Sequence, residues 1–197
     1  MNKKFTLVFF LIIILSNFSK AYSIEADVFV QSTINRAAKT LGGNLSKEER
    51  VEKLKVIAKD TVDIEGIGFY SLGANRKSAT EDQINKYKAA FSQYFLKSFS
   101  SRLAEYSNPE IEVNSKKIIN KNYTIVSSTL AGTDSRPEVK IEWRVYTKDP
   151  NNLLIRDLII EGLSLARTQK EEFASIINSN DGNIDALIEN LSNFAAK

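Results

Sequence analysis

The chain has 197 residues, with 27 lysines and arginines, 24 aspartates and glutamates, and neither histidine nor cysteine. The lack of cysteine excludes disulfides, and the lack of histidine removes the commonest general base and metal ligand. Residues 1–23 hold three lysines and no acidic residue, so subtracting them from the total leaves 24 basic against 24 acidic residues. That balance lacks the basic excess that nucleic-acid binding needs, and few enzyme classes fit this composition.

The N-terminus has the three-part pattern of a secretory signal peptide. Lys3 and Lys4 precede an apolar run from Phe5 to Leu15, and Ala21-Tyr22-Ser23 supplies small residues where a signal peptidase cuts. The run is too short to span a hydrocarbon core, which takes about 20 residues. We predict a cleaved signal peptide over residues 1–23 and a single domain over residues 24–197 of an exported protein.

The first half of the exported part is predicted to be helical. Two capping boxes, Ser46 with Glu49 and Thr80 with Gln83, mark the starts of two of its helices. Apolar residues at intervals of three and four continue each pattern, and a proline follows the longest of them. The predicted helices cover residues 26–41, 46–61, 63–72 (short or bent) and 81–106, and near the C-terminus 165–178 and 184–194.

Strands are predicted between these two groups of helices. Ile141, Trp143 and Val145 alternate with polar residues, which is the period of a strand with one buried face. Asp149-Pro150-Asn151-Asn152 has turn chemistry, and an apolar run returns from it. The predicted strands cover residues 110–120, 123–132, 138–147 and 153–160. Helices followed by consecutive strands predict an α+β fold with a curved antiparallel sheet of about four strands.

An aromatic stripe runs along the longest predicted helix. Tyr87, Phe91, Tyr94, Phe95 and Phe99 lie on one face of it at helical spacing. Such a stripe forms either an ordinary filled core or the wall of an apolar cavity between helix and sheet, and periodicity does not separate the two. The same choice, core filler or pocket wall, stays open for the only tryptophan on the predicted sheet. Ile125 and Ile159 are plausible neighbours of that tryptophan in the sheet face.

Two blocks of the sequence resemble the MlaC, or toluene-tolerance, family of periplasmic phospholipid-binding proteins. The resemblance covers most of the chain after residue 24, and the order and spacing of the matching residues carry it. The matching residues are Trp143-Arg144, Asp157, Glu161-Gly162-Leu163-Ser164-Leu165, Arg167 and Glu172-Phe173, with Leu72-Gly73, Thr80-Glu81-Asp82-Gln83, Phe91 and residues 95–103 upstream.

The resemblance implies a soluble carrier that moves phospholipid across the periplasm and maintains outer-membrane lipid asymmetry. Its implied partners are an inner-membrane MCE-domain transporter complex and an outer-membrane lipoprotein–porin complex. Phospholipid is then cargo, and no cofactor, metal or catalytic residue is expected. In the family, acyl chains insert between helices and sheet, which favours the pocket reading. The residues predicted to contact lipid are Ile67, Phe69, Tyr70, Leu72, Tyr87, Phe91, Phe95, Phe99, Ile125, Ile141, Trp143, Val145, Ile159 and Leu163.

Residues 64–72 are predicted to form the pocket mouth or a moving gate. This segment combines apolar residues with Gly66 and Gly68, which lower the cost of changing backbone shape. Basic side chains near the opening are candidates for contact with a lipid phosphate, although a solvated face suits each of them as well. Those candidates are Arg76, Lys77, Arg144 and Arg167.

Candidates for catalysis are few. Asp157 lies in an apolar strand, where Arg144 on the preceding strand is a suitable partner for it. Asp63 and Glu65 are expected to be solvated, and Ser164 lacks the context of a nucleophile elbow. Two alternatives to the carrier stay open. One is a small enzyme on a related curved-sheet scaffold, with Asp157 as its acid or base, and the other is an envelope chaperone or adaptor.

Overall fold

A computed structural model of the protein describes residues 24–134 and 136–197. The predicted signal peptide lies outside the described residues, so it stays a prediction. The helices are α1 Ala26–Leu41, α2 Lys47–Thr61, α3 Ile64–Leu72, α4 Glu81–Leu103, α5 Leu165–Asn178 and α6 Ile184–Ala196, with a 3₁₀ turn at Gly73–Lys77. The strands are β1 Ile111–Asn120, β2 Tyr123–Leu130, β3 Val139–Tyr146, β4 Leu154–Ile160 and β5 Leu163–Ser164.

Both predicted capping boxes are confirmed. The Ser46 hydroxyl accepts a hydrogen bond from the amide of Glu49 at 3.2 Å, and the Glu49 carboxylate accepts one from the amide of Ser46 at 2.8 Å. Thr80 and Gln83 make the same reciprocal pair at the start of α4. These bonds satisfy amides that have no partner within the helix. Helix α4 ends at Leu103, slightly before the predicted end.

The sheet is an antiparallel meander in the order β1-β2-β3-β4-β5. The predicted α+β class is therefore confirmed, with one difference. A fifth strand of two residues follows β4 after a tight turn at Glu161 and Gly162, whose φ angles of 49° and 82° are left-handed. Glycine adopts that conformation at little cost, so Gly162 suits the second position of the turn.

Register decides which strand residues face the helices, and it places two predicted neighbours of Trp143 on the opposite face. Ile125 pairs with Arg144, and Ile159 pairs with Glu142. The interpretation of Ile159 failed because of an irregularity in β4, where Val145 pairs with Ile155 but Arg144 pairs with Asp157. The extra residue between these pairs reverses the alternation that follows.

The helices pack against the sheet and against each other, and together they enclose the core and a cavity within it. Helix α1 packs against β1 and β2, while α3 and α5 pack against β4. The long helix α4 packs against α2, α3 and α6. The largest core cluster extends from α1 through the aromatic part of α4 to the sheet and both C-terminal helices.

Candidate functional site

An apolar cavity lies inside the helical layer and against the sheet. Its volume is about 350 Å³, which is within the range of about 300–1,000 Å³ that ligand pockets occupy. Helices α1 to α5 and strands β1 to β4 all contribute to its wall. The apolar part of that wall includes Ile34, Ala37, Ala38, Leu41, Leu54, Ile57, Ala58, Val62, Ile67, Phe91, Phe95, Phe99, Leu103, Ile111, Leu130, Ile141, Trp143, Ile155, Leu158, Ile160 and Leu165.

Three phenylalanines of α4 form one side of the cavity. Phe91, Phe95 and Phe99 follow each other at intervals of four residues, with ring centroids 6.0 and 5.5 Å apart. Phe91 is 2% exposed, and its ring meets that of Phe173 on α5 edge-on at 6.1 Å. The other two rings are only partly buried. The stripe is thus anchored at one end and borders open space at the other.

Trp143 forms part of the sheet wall, with its polar atom satisfied away from the apolar surface. The indole Nε1 donates a hydrogen bond to the Ser128 hydroxyl at 2.8 Å, and that hydroxyl donates to the carbonyl of Ile141 at 3.3 Å. A buried tryptophan needs such a partner for its N–H group. Because this partner lies within the sheet, the indole adds apolar surface to the cavity without an unpaired donor.

Helices α1 and α2 contribute a part of the wall that the sequence reasoning missed. Ala37 and Ala38 on α1 and Ala58 on α2 line the cavity. Small side chains on the inward faces of two helices leave room next to the bulky rings of α4. The sequence did contain a signal for this part of the wall, because both helices were predicted and these small residues lie on their apolar faces.

A polar strip borders the cavity between α4 and α5. It consists of Tyr94, Ser98 and Arg102 on α4 and Thr168, Gln169 and Glu172 on α5. The Tyr94 hydroxyl donates a hydrogen bond to the Gln169 side-chain oxygen at 3.0 Å. Burial raises the pKa of Tyr94 above its usual range, so the hydroxyl stays protonated and keeps donating. Polar side chains beside an apolar cavity are stable where water or a polar ligand group reaches them.

The structure brings six of the predicted lipid-contacting residues together in the wall. These are Ile67, Phe91, Phe95, Phe99, Ile141 and Trp143. Their contact with lipid stays a prediction, but their position around one cavity does not depend on it. The remaining eight lie outside the wall, for three different reasons.

Three of those eight belong to the filled part of the core. Leu72, Tyr87 and Val145 are almost fully buried among other side chains. The Tyr87 hydroxyl donates a hydrogen bond to the carbonyl of Gly68 at 2.9 Å, and burial raises the pKa of Tyr87 far above its usual range. These side chains are enclosed by protein. Hydrophobic periodicity predicted correctly that they are buried, but it does not show whether a buried side chain faces a cavity.

Two more lie on the outer side of α3, beneath lysine side chains. Lys88 Nζ is 5.2 Å from the centroid of the Phe69 ring, and Lys170 Nζ is 5.3 Å from that of Tyr70. Tyr70 is 43% exposed. Contacts between lysine and aromatic rings are typical of surfaces that are reached by water. These two rings therefore face away from the cavity.

The last three lie on the sheet, outside the cavity. Ile125 and Ile159 are on the opposite face, as the register shows. Leu163 is 58% exposed in β5. Apolar character alone does not distinguish the two faces of a strand when both carry isoleucine.

Residues 64–72 form a helix that packs against α4 and α5, and their role as a pocket mouth or moving gate stays a prediction. An added Cβ on Gly68 would lie 2.8 Å from the Phe91 ring, so the glycine permits close contact between α3 and α4. An added Cβ on Gly66 would overlap the Asp63 carboxylate, which caps the helix by accepting from the Gly66 amide at 2.8 Å. Only Ile67 of this segment reaches the cavity wall. The two glycines thus serve close packing and capping.

Asp157 has structural partners on both carboxylate oxygens. It accepts hydrogen bonds from the Ser164 hydroxyl at 2.6 Å and from the amide of Ala166 at 3.0 Å, so it holds the start of α5 against β4. Arg144 Nη1 is 3.6 Å from the same carboxylate. The predicted ion pair is confirmed, at a distance longer than a hydrogen bond. Ser164 also accepts from the amide of Arg167 and caps α5.

The expectation that Asp63 is solvated is wrong. Its side chain is 15% exposed, and its carboxylate accepts a hydrogen bond from Arg156 Nε at 2.6 Å. Arg156 also donates to the Tyr123 hydroxyl and lies over the Tyr146 ring at 3.7 Å from its centroid. Glu65, in contrast, is exposed and pairs with Lys88. The partner of Asp63 lies on a strand far along the chain, where local sequence gives no indication of it.

Over residues 24–134 and 136–197, no group of three or more histidine, cysteine, aspartate or glutamate side chains is arranged to hold a metal ion. In the same part of the chain, no helix combines the length and apolar character needed to cross a membrane.

Comparison with known proteins adds a family and a fold. The model of the family described as MlaC protein matches residues 30–193. A solved structure, described as the phospholipid-binding protein from Ralstonia solanacearum in complex with a phospholipid, superposes with a TM-score of 0.72. The two sequences are 21% identical over 88% of this chain and 98% of the other.

Proposed function

This chain belongs to the MlaC family, and from that premise we propose that it is a phospholipid carrier that holds acyl chains in its apolar cavity. The observation that carries the proposal is the cavity itself, whose wall is mostly apolar on five helices and the sheet and carries a polar strip between α4 and α5. A wall of this kind suits a ligand with an apolar body and a polar end. The phospholipid bound by the Ralstonia protein, which shares this fold, supports the same ligand class.

The energetic need for a carrier follows from the chemistry of the cargo. Each methylene exposed to water costs about 0.8 kcal/mol, so two chains of about fifteen carbons cost on the order of 20 kcal/mol. A protein cavity lined by phenylalanine, isoleucine and leucine replaces the membrane interior during transit. Release then requires that the cavity and the membrane hold the chains with similar strength, so we expect transfer to depend on partner proteins.

The cellular setting is also part of this proposal. A signal peptide over residues 1–23 would deliver residues 24–197, as one lipid-binding domain, to the periplasm. There the protein would exchange phospholipid between an inner-membrane MCE-domain transporter complex and an outer-membrane lipoprotein–porin complex, and so maintain outer-membrane lipid asymmetry. Family membership supports this setting.

Binding without chemistry suits the site better than catalysis. Asp157 was the best candidate for an acid or base, and its oxygens accept from Ser164 and Ala166 in structural bonds. The polar strip consists of side chains suited to contact with a headgroup. We therefore assign the cavity to cargo binding.

The single tryptophan provides a direct test, because Trp143 lies in the cavity wall. Phospholipid with bromine atoms on its acyl chains should quench Trp143 fluorescence when the purified protein takes it up from vesicles. The variant Ala38→Phe, which fills the cavity from α1, should reduce the quenching. Ser32→Phe on the exposed side of the same helix is the matched control and should behave as wild type.

Native mass spectrometry of the protein purified without detergent completes this test. Co-purifying glycerophospholipid at near one-to-one occupancy is the expected result. A folded protein that carries no lipid, and whose tryptophan is not quenched, would contradict the carrier function.

A further inference from the structure

The cavity wall carries a single basic side chain among the described residues. Arg102, in the last turn of α4, is the only lysine or arginine that lines it. Its side chain is exposed, and within the described chain its guanidinium forms no ion pair with a carboxylate. Arg102 therefore combines a position at the cavity with a positive charge that has no ion-pair partner among the described residues.

The basic side chains named from the sequence do not share this position. Arg76, Lys77, Arg144 and Arg167 all lie outside the cavity wall. Arg144 is already engaged with Asp157 at 3.6 Å. The sequence reasoning missed Arg102 because it lies on the amphipathic helix with no local mark of function.

Arg102 belongs to the polar strip rather than to the apolar wall. Tyr94, Ser98 and Arg102 are spaced by four residues and so lie along one face of α4. Burial is the main cause of the raised pKa of Tyr94, and the charges of Glu172 and Arg102 act on it in opposite directions. Both charged groups line the cavity together with Tyr94, in the polar strip between α4 and α5.

We propose that Arg102 binds the phosphate group of the phospholipid whose acyl chains occupy the cavity. This inference rests on the proposed function and adds the group that recognises the headgroup. With the chains against the apolar wall, the glycerol and phosphate must emerge where the wall is polar. A guanidinium there donates charge-assisted hydrogen bonds to phosphate oxygens in a matching planar geometry.

The test measures headgroup discrimination. The purified protein is incubated with vesicles that contain phosphatidylglycerol and diacylglycerol with identical acyl chains, and the bound lipids are extracted and quantified. Because Arg102 is exposed, Arg102→Gln should lower the bound ratio of phospholipid to diacylglycerol by about threefold to fivefold. The effect should shrink at high salt. Arg167→Gln, the same change on an exposed side chain outside the wall, should leave the ratio unchanged.

Further measurements distinguish a failure of the Arg102 proposal from a failure of the carrier function. A wild-type ratio in Arg102→Gln, with normal total uptake, would overturn the role of Arg102 and leave the carrier function intact. Wild-type protein that takes up neither lipid would overturn the carrier function itself. If Arg102→Gln proves unfolded by its melting curve, Arg102→Lys, which keeps the charge and loses the planar fork, should give an intermediate ratio, and an unchanged ratio there would overturn the proposal.

Free phosphate is tested as an alternative ligand. Inorganic phosphate added at an ionic strength matched with chloride should leave the wild-type ratio at its chloride value, because the lipid phosphate is held next to Arg102 by its own chains. A drop that phosphate causes and chloride does not would reassign Arg102 to the free ion.

Discussion

The two halves of helix α4 have the same kind of sequence and different surroundings. In the first half, Tyr87 and Phe91 are 1% and 2% exposed and pack edge-on against Phe173 of α5. In the second half, Phe95 and Phe99 stack on one another but are only partly buried and border the cavity. One aromatic stripe therefore changes along the helix from packed core at Tyr87, through Phe91, which is buried and also reaches the cavity, to partly buried cavity wall at Phe95 and Phe99.

The difference comes from the elements that face each half. Gly68 lets α3 approach Phe91 so closely that a single added methyl would meet its ring at 2.8 Å. Small residues on α1 and α2, Ala37, Ala38 and Ala58, line the cavity that Phe95 and Phe99 border. Whether a large apolar side chain is core or pocket thus depends on the size and distance of the residues opposite it.

The largest expected effect separates the two halves by stability. Phe91→Ala should lower the free energy of unfolding by about 3–5 kcal/mol, because its ring is buried and packs against Tyr87 and Phe173 even though it also reaches the cavity. Phe95→Ala should cost about 1–2 kcal/mol, since its ring already borders open space. Urea denaturation of both variants measures the difference. Equal losses would mean that the second half is as tightly packed as the first.

Added bulk should also destabilise the filled end more than the hollow end. Gly68→Ala places a methyl group against the Phe91 ring, and we expect overpacking of about 1–3 kcal/mol to outweigh a helix-propensity gain of about 1 kcal/mol. Ala37→Leu places more atoms beside the hollow and should change the unfolding free energy by less than about 0.5 kcal/mol. Thermal melting of the pair is the measurement. A destabilised Ala37→Leu with an unaffected Gly68→Ala would reverse the assignment of filled and hollow ends.

Two buried hydroxyls test the packing behind the cavity. Among the described residues, Ser71 Oγ on α3 and Ser100 Oγ on α4 are buried without a hydrogen-bond partner. Replacing either with alanine removes an unsatisfied polar group and should raise the unfolding free energy by about 1 kcal/mol. Urea midpoints of the two single variants are the measurement. A loss of stability at Ser100 would show that its hydroxyl has a partner, such as water, behind the hollow half.

The smallest effect concerns a surface contact away from both halves. Lys116 on β1 forms ion pairs with Glu25 and Asp27 at the start of α1. The hydrogen bond from Lys116 lowers the pKa of Asp27, so this contribution to stability is present at neutral pH and is lost as pH falls through the lowered pKa. Hydrogen bonds to Glu25 and Asp27 raise the pKa of Lys116, so at high pH the contribution is lost as pH rises through that value.

Lys116→Met should therefore lower the melting temperature slightly near neutral pH. The difference from wild type should disappear in acid and in strong alkali. Melting curves across the pH range check this, and a difference that persists in acid would assign the effect to packing instead of charge. Ligand uptake should be unchanged in the variant, because Lys116 does not line the cavity.

Local sequence was sufficient to predict the order and type of the six helices and of the four longer strands, but not the two-residue strand β5. Capping boxes at Ser46 and Thr80, the alternation around Trp143 and the residues at the turns act over a few residues. Their effects are therefore present in any window of the chain that contains them. The α+β class follows from the same signals, and so do the helix bounds to within a few residues.

The site depended on contacts between distant parts of the chain. The irregularity at Arg156 reversed the faces of β4, and Asp63 found its partner in that same arginine. The hollow opposite Phe95 and Phe99, and the position of Arg102 at its polar edge, exist only once α1, α2 and the sheet are in place. Hydrophobic periodicity states which side of an element is buried. It does not state how far away the opposite wall lies, because that distance is set by the packing of every element at once.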